Sequence, residues 1–306
     1  MITAIFTRAR PLWLLFATTL LIAGCSGGGP GGKNGTAVSY TIVEKVADAP
    51  YDQVVAGIEA GVKGSNLMII GEPNYKAMQR MVGRQIRDAK SFFVFRPDLG
   101  TQVFENDYNA AAEIPLKILI YDRGDGKTVV RYRKPSSQLA NYKNLSGLGD
   151  RLDEILANIV NAGIGATGDA SAKEVRMTHE VVEKVFAASY DQAVAKIEAA
   201  VKGSGLMIIG EPNYKSMQRM VGRQIRDAKK YFVFRPDLGT QVFENDYNAA
   251  LELPMEILIY DRGDGKTVVR YRKPSVALGN YSGLGGLGKT LDGVIERIVG
   301  AAQTSS

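Results

Sequence analysis

The chain has 306 residues, 45% hydrophobic and 23% charged, and a formal net charge of +6. One cysteine and one histidine exclude intramolecular disulfides, cysteine-built metal sites and the common zinc sets. The basic excess falls to +4 (36 basic, 32 acidic residues) once the first 24 residues are removed, which gives no ground for a nucleic-acid partner.

Residues 1–24 carry Arg8 and Arg10, an apolar run over 12–22 and small residues ahead of Cys25, the pattern of a secretory signal peptide. The run is shorter than the roughly 20 residues a membrane span takes. Leu21-Ile22-Ala23-Gly24-Cys25 resembles the lipobox of bacterial lipoproteins. That resemblance implies cleavage before Cys25 and lipidation of its thiol and amine, making the membrane a partner through the N-terminal lipid. Several acyl chains anchor firmly, at about 0.8 kcal/mol per buried CH₂. Ser26 after the cysteine resembles the signal for outer-membrane sorting, with the protein facing the periplasm. The glycine-rich residues 25–39 read as a tether reaching on the order of 20 Å.

A first repeat domain is expected over 40–160. Residues 41–46 alternate as a strand. Val54, Val55, Ile58 and Val62 recur at helical spacing, and Gly64 ends that helix. A short apolar strand at 67–70 closes on Gly71-Glu72-Pro73. Asn74 suits the cap of a helix expected to run through Lys90, with Gly83 as a costly interior glycine. A strand at 92–95 is broken by Arg96-Pro97-Asp98, and 101–112 reads as a short helix. Strands at 116–121 and 128–133 flank Asp125-Gly126, a hairpin signal. A closing helix over 148–160 turns Leu152, Ile155, Leu156 and Ile159 inward. The order β-α-β-α-β-α-β-β-α implies an α+β fold, each copy a mainly antiparallel sheet covered by helices in two layers.

Residues 161–174 read as a linker, and a second copy occupies 175–301. Residues 67–136 and 206–275 align at an offset of 139 without a gap and share 63 of 70 residues. In the flanks 10 of 27 positions differ over 40–66 and 13 of 24 over 137–160. One duplication ages all parts alike, so packing, a site or gene conversion holds the middle block fixed, and any site should occur twice.

Arg96-Pro97-Asp98-Leu99-Gly100-Thr101, then Ile114-Pro115, Asp125-Gly126 and Tyr132-Arg133-Lys134-Pro135 resemble, in order, the motifs of domain-of-unknown-function family 302. Copy two repeats them at 235–240, Leu253-Pro254, Asp264-Gly265 and 271–274, with Arg96 and Arg235 where the family usually has Asn. The resemblance implies a small two-layer α/β domain prone to pairing. It brings no activity and no catalytic residues. Two such copies on one linker are expected to form an internal pseudo-dimer at high effective concentration.

Three short motifs invite chemistry. Residues 283–290 fit the phosphate-loop pattern G-x-x-x-x-G-K-[ST]. Copy one lacks its Gly, Lys and Thr and no buried strand launches it, so a glycine-rich helix entry is the better reading. Arg123-Gly124-Asp125, repeated at 262–264, spells a cell-attachment tripeptide, which the hairpin turn explains. His179 lies in the variable flank opposite Tyr40 in the alignment, so no duplicated histidine site exists. No cofactor or metal is implied.

Lys76, Arg80, Arg84 and Arg87 fall at i, i+4, i+8 and i+11, one face of the expected helix, with Met78, Met81, Val82 and Ile86 on the other. Copy two repeats the stripe as Lys215, Arg219, Arg223 and Arg226. Guanidinium forks fit carboxylate and phosphate oxygens, so an anionic lipid or an acidic glycan is the expected ligand; a solvated face paired to nearby acids is the plainer account. The sequence thus points to an envelope-anchored lipoprotein acting as a binding or assembly module. The alternative is an enzyme acting on an anionic envelope substrate with Arg clamps and a carboxylate base, which a duplicated pocket with a carboxylate within hydrogen-bond reach of Arg80 or Arg96 would favour.

Overall fold

The computed structural model describes residues 35–165 and 172–303; Cys25 and the expected signal peptide lie outside them. In copy one β1 (Gly35–Ala47), α1 (Tyr51–Gly64), β2 (Met68–Gly71), α2 (Tyr75–Arg80), β3 (Ala89–Phe95) and α3 (Pro97–Asn106) lead to a 3-10 turn at Tyr108–Glu113. β4 (Leu116–Asp122), β5 (Thr128–Arg133), α4 (Pro135–Leu139) and α5 (Ser146–Ile164) complete it. Copy two repeats the series as β6 (Lys173–Phe186), α6 (Tyr190–Gly203), β7 (Met207–Gly210), α7 (Tyr214–Arg219), β8 (Ala228–Phe234), α8 (Pro236–Asn245) and a 3-10 turn at Tyr247–Glu252. It ends with β9 (Met255–Asp261), β10 (Thr267–Arg272), α9 (Pro274–Gly279) and α10 (Gly285–Gly300).

Local chemistry accounts for most boundaries. Pro97 opens α3 with its φ already helical and no amide N–H to satisfy. Gly124 and Gly126 take φ of +94° and +82° in the β4–β5 hairpin, where the Asp122 carboxylate accepts the Gly124 N–H at 2.9 Å. Apolar residues of α1 and α5 meet over the sheet. The contact is close: a Cβ on Gly57 would stand 2.8 Å from the Gly163 Cα.

All strand pairs are antiparallel, and the strands form one sheet in the order β2-β3-β4-β5-β1-β6-β10-β9-β8-β7. β1 joins the copies by pairing Gly35–Glu44 with Val182–Lys173 of β6. This corrects the expected tether, because residues 35–39 are strand. Likewise α5 runs through Ile164 and β6 begins at Lys173, so both enter the expected linker.

β3 and β8 stand seven places apart in the sheet, roughly 33 Å if it were flat. Yet the Phe93 and Phe232 rings stack at 4.2 Å. The sheet therefore curls until its two halves face each other, with the long helices of each copy on the outside. Each core borrows from the other copy. Tyr75, Leu119, Tyr121 and Val129 belong to the core of copy two, and Tyr214, Leu258, Tyr260 and Val268 to that of copy one.

Candidate functional site

The strand pleat sorts side chains between two environments. Ile118, Ile120, Val130 and Tyr132 face the outer helices, while Lys117, Arg131 and Arg133 fall on the opposite face with Leu119 and Tyr121. Where the curled halves meet, these charges form a buried network. Lys117 Nζ donates to the carbonyls of Leu251 (3.1 Å) and Leu253 (3.0 Å) and pairs with Glu256 at 3.0 Å. Lys230 pairs with the other Glu256 oxygen at 2.9 Å and donates to the Ala112 carbonyl at 2.7 Å. Arg133 meets Glu252 and Arg272 meets Glu113, each at 2.5 Å, so the copies exchange the same ion pair in both directions. The hydroxyls of Tyr40 and Tyr142 donate to Glu113, and that of Tyr281 donates to Glu252. His179, fully buried, lies 3.3 Å from Glu252 through Nε2 and 4.9 Å from the Tyr40 ring.

Burial alone would raise the three carboxyls. Instead Arg272 holds Glu113, Arg133 holds Glu252, and Lys230 with Lys117 hold Glu256 below the ordinary carboxylate range. Burial pushes Lys117 down to about 8 against the pull of Glu256, and Lys230 moves the same way. Burial also lowers His179 against Glu252. The network is charged and largely buried, and it leaves Arg133 Nε, Arg272 Nε and His179 Nδ1 without a hydrogen-bond partner. The cavity beside Arg133, Glu252, Glu256 and Arg272 measures about 30 Å³. A buried water needs roughly 10–15 Å³, so this space holds a water or two and no substrate.

The basic stripe is rearranged. The helix expected through Lys90 stops at Arg80, because Gly83 takes φ +71° and closes it. The Arg84 N–H bonds the Gln79 carbonyl at 2.9 Å and the Gly83 N–H bonds that of Arg80 at 3.1 Å, the pattern of a glycine stop. Asn74 does cap α2, accepting the Ala77 N–H at 3.0 Å. Only Lys76 and Arg80 share a helix. Lys76 is paired to Asp88 at 2.7 Å and Lys215 to Asp227 at 2.8 Å. Arg87 and Arg226 sit over the rings of Tyr247 and Tyr108 of the opposite copy, with Cζ 4.2 Å from each ring centre.

Arg80 and Arg84 remain on an exposed turn, as do Arg219 and Arg223. Arg84 only approaches Glu244, at 4.0 Å, and Arg223 approaches Glu105, at 3.8 Å. Met81 and Val82, expected on an apolar face, stand in solvent between these arginines at 68% and 39% exposure, and Met220 and Val221 match them.

Other sequence signals resolve structurally. Residues 285–290 are the first turns of α10, with the Thr290 hydroxyl on the Gly286 carbonyl, so no phosphate loop follows a strand. Arg96 pairs with Asp98, and Arg235 with Asp237, each at 2.9 Å. The cavity behind each arginine measures about 20 Å³ with an otherwise apolar lining, so it is not the acid-bearing pocket that would favour the enzyme alternative. Tyr108 and Asn109 serve the interface: the Tyr108 hydroxyl accepts the Arg226 backbone N–H and the Asn109 side-chain Oδ1 accepts the Tyr260 hydroxyl. Among the described residues no group of three or more His, Cys, Asp or Glu could hold a metal. No helix among them is long and apolar enough to cross a membrane.

Sequence reasoning missed the buried network and Gln79, whose amide donates to the Pro236 carbonyl at 2.7 Å and accepts from Thr240 at 2.6 Å. Gln218 repeats both bonds with Pro97 and Thr101. The available signal was opposite charge at aligned positions of an otherwise fixed block, Lys117 against Glu256.

The family model described as domain of unknown function DUF302 matches residues 43–163 and again 182–304. The chain belongs to the DUF302 family. Each DUF302 match covers one of the two copies seen in the sheet. No curated protein matches the chain. Among solved structures, an uncharacterized conserved DUF302 protein from Bacillus stearothermophilus is similar at 15% identity and a TM-score of 0.36, over 40% of this chain and 96% of that one.

Proposed function

We propose that this tandem DUF302 protein is a lipid-anchored envelope protein whose two exposed Arg80–Arg84 and Arg219–Arg223 turns bind anionic lipid headgroups. The observation that carries the reading is the same solvent-facing sequence, Arg-Met-Val-Gly-Arg, presented once per copy and identical in both. Arginine suits phosphate oxygens through its fork, and a methionine and valine in solvent between two arginines favour a lipid surface over a glycan. The pairs with Glu244 and Glu105 are exposed and contribute roughly 0–1 kcal/mol, so a phosphate can displace them. The lipobox at Cys25 supports the membrane location.

Vesicle sedimentation tests this. Wild type should bind anionic vesicles in preference to neutral ones and release as salt rises, since screening acts over about 10 Å at 0.1 M. Replacing Arg80, Arg84, Arg219 and Arg223 with Gln should abolish the preference; equal binding by this variant rejects the site. Intact mass of the native protein should show acyl chains on Cys25, and an unmodified cysteine rejects the anchor.

A further inference from the structure

The buried network is asymmetric where the two copies are otherwise almost the same. Over the 70-residue block only seven aligned positions differ. Four of them sit in the polar network between the copies: Ser91/Lys230, Ala112/Leu251, Ile114/Leu253 and Lys117/Glu256. We propose that the inner face of copy one fits only a face of copy-two type, so that the halves of this chain are a complementary pair and not interchangeable modules.

The argument is a substitution by pseudo-symmetry. In a pair built from two copy-one faces, a second Lys117 would stand where Glu256 stands, and Ser91 where Lys230 stands. The 3.0 Å contact between ammonium and carboxylate would become one between two ammonium groups, at a site where the Lys117 side chain is 4% exposed. Like charges in such a place are neither screened by salt nor solvated, and the carboxylate that compensates them is gone. A pair of two copy-two faces behaves differently. Each face carries its own Lys230–Glu256 bond, 2.9 Å long and made within one copy, so the charge balances. The copy-two face therefore accepts its own kind, whereas the copy-one face requires the carboxylate of the other. The lysine of each copy also donates to a carbonyl of the other, Ala112 or Leu251, at a position where side-chain size has diverged as well.

This inference does not depend on the arginine turns, and a failure of vesicle binding leaves it standing. The test uses the full chain. Ser91→Lys with Lys117→Glu turns the first face into a second copy-two face; Lys230→Ser with Glu256→Lys turns the second into a copy-one face. Both variants change two buried residues on aligned positions. The first should keep one compact particle by solution scattering and melt within a few degrees of wild type. The second should melt lower by roughly 10 °C and show an expanded particle as the halves part. Equal losses in both variants, no loss in either, or a greater loss in the first would overturn the proposal.

Discussion

The buried network and the exposed arginine turns lie in the same repeated block and have opposite histories. Residues 79–90 and 218–229, which carry the turns, are identical, while the strands beside them exchange Ser91 for Lys230 and Lys117 for Glu256. In solvent a charge change costs little, so identity there must be held by something other than stability. At the interface most residues are kept, as Phe93 stacked on Phe232 and the reciprocal Arg133–Glu252 and Arg272–Glu113 pairs show, and the few that differ change as a compensating set, Ser91/Lys230 with Lys117/Glu256.

The sharpest way to break this comparison is to remove one charge from each region. Glu256→Gln leaves Lys117 and Lys230 buried without their carboxylate and should cost about 3–5 kcal/mol in urea unfolding. The four-arginine Gln variant should lie within about 0.5 kcal/mol of wild type in the same assay. Similar losses in both would erase the distinction.

Titration separates the regions next. Lys117 has a folded pKa of about 8, below its ordinary 10.5. Between these values the unfolded chain holds a proton that the folded one has released, so stability should rise with pH across that window, by up to roughly 3 kcal/mol. Lys117→Met should reduce the rise, and Lys230, lowered in the same direction by burial, sustains the remainder. The depressed carboxyls of Glu113, Glu252 and Glu256 act at the other end, where their stabilisation is present above the ordinary carboxylate range and is lost as pH falls through their folded values. A smaller effect comes from the outer layer. Gly57→Ala places a Cβ 2.8 Å from the Gly163 backbone and should cost about 1–3 kcal/mol. The aligned residue of copy two is Lys196, so that helix pair already accommodates a side chain.

Much of the fold was legible. Strand alternation, the Asn74 cap and the Asp125-Gly126 hairpin are local signals, and each operates as its chemistry dictates, whereas the helix expected over 101–112 begins instead at Pro97 and gives way to a 3-10 turn after Asn106. Gly83 was the instructive error. The arginine spacing argued for a long helix, but a glycine can also end one, and only the backbone turn at positive φ distinguishes the two. The site was less legible because its residues come from strands far apart in sequence. Nothing near Lys117 announces that it will meet Leu251, Leu253 and Glu256.

The sequence by itself determined two copies, their element types and the antiparallel hairpins, because these depend on periodicity and turn chemistry within a few residues. The tertiary structure decided that β1 and β6 join the copies into one sheet and that this sheet curls on itself. It also decided that Lys117, Glu113 and His179 are interior while Met81 is exposed. The physical reason is that burial of a charge or exposure of a methionine depends on what the opposite copy places against it, a long-range packing outcome that no local pattern encodes.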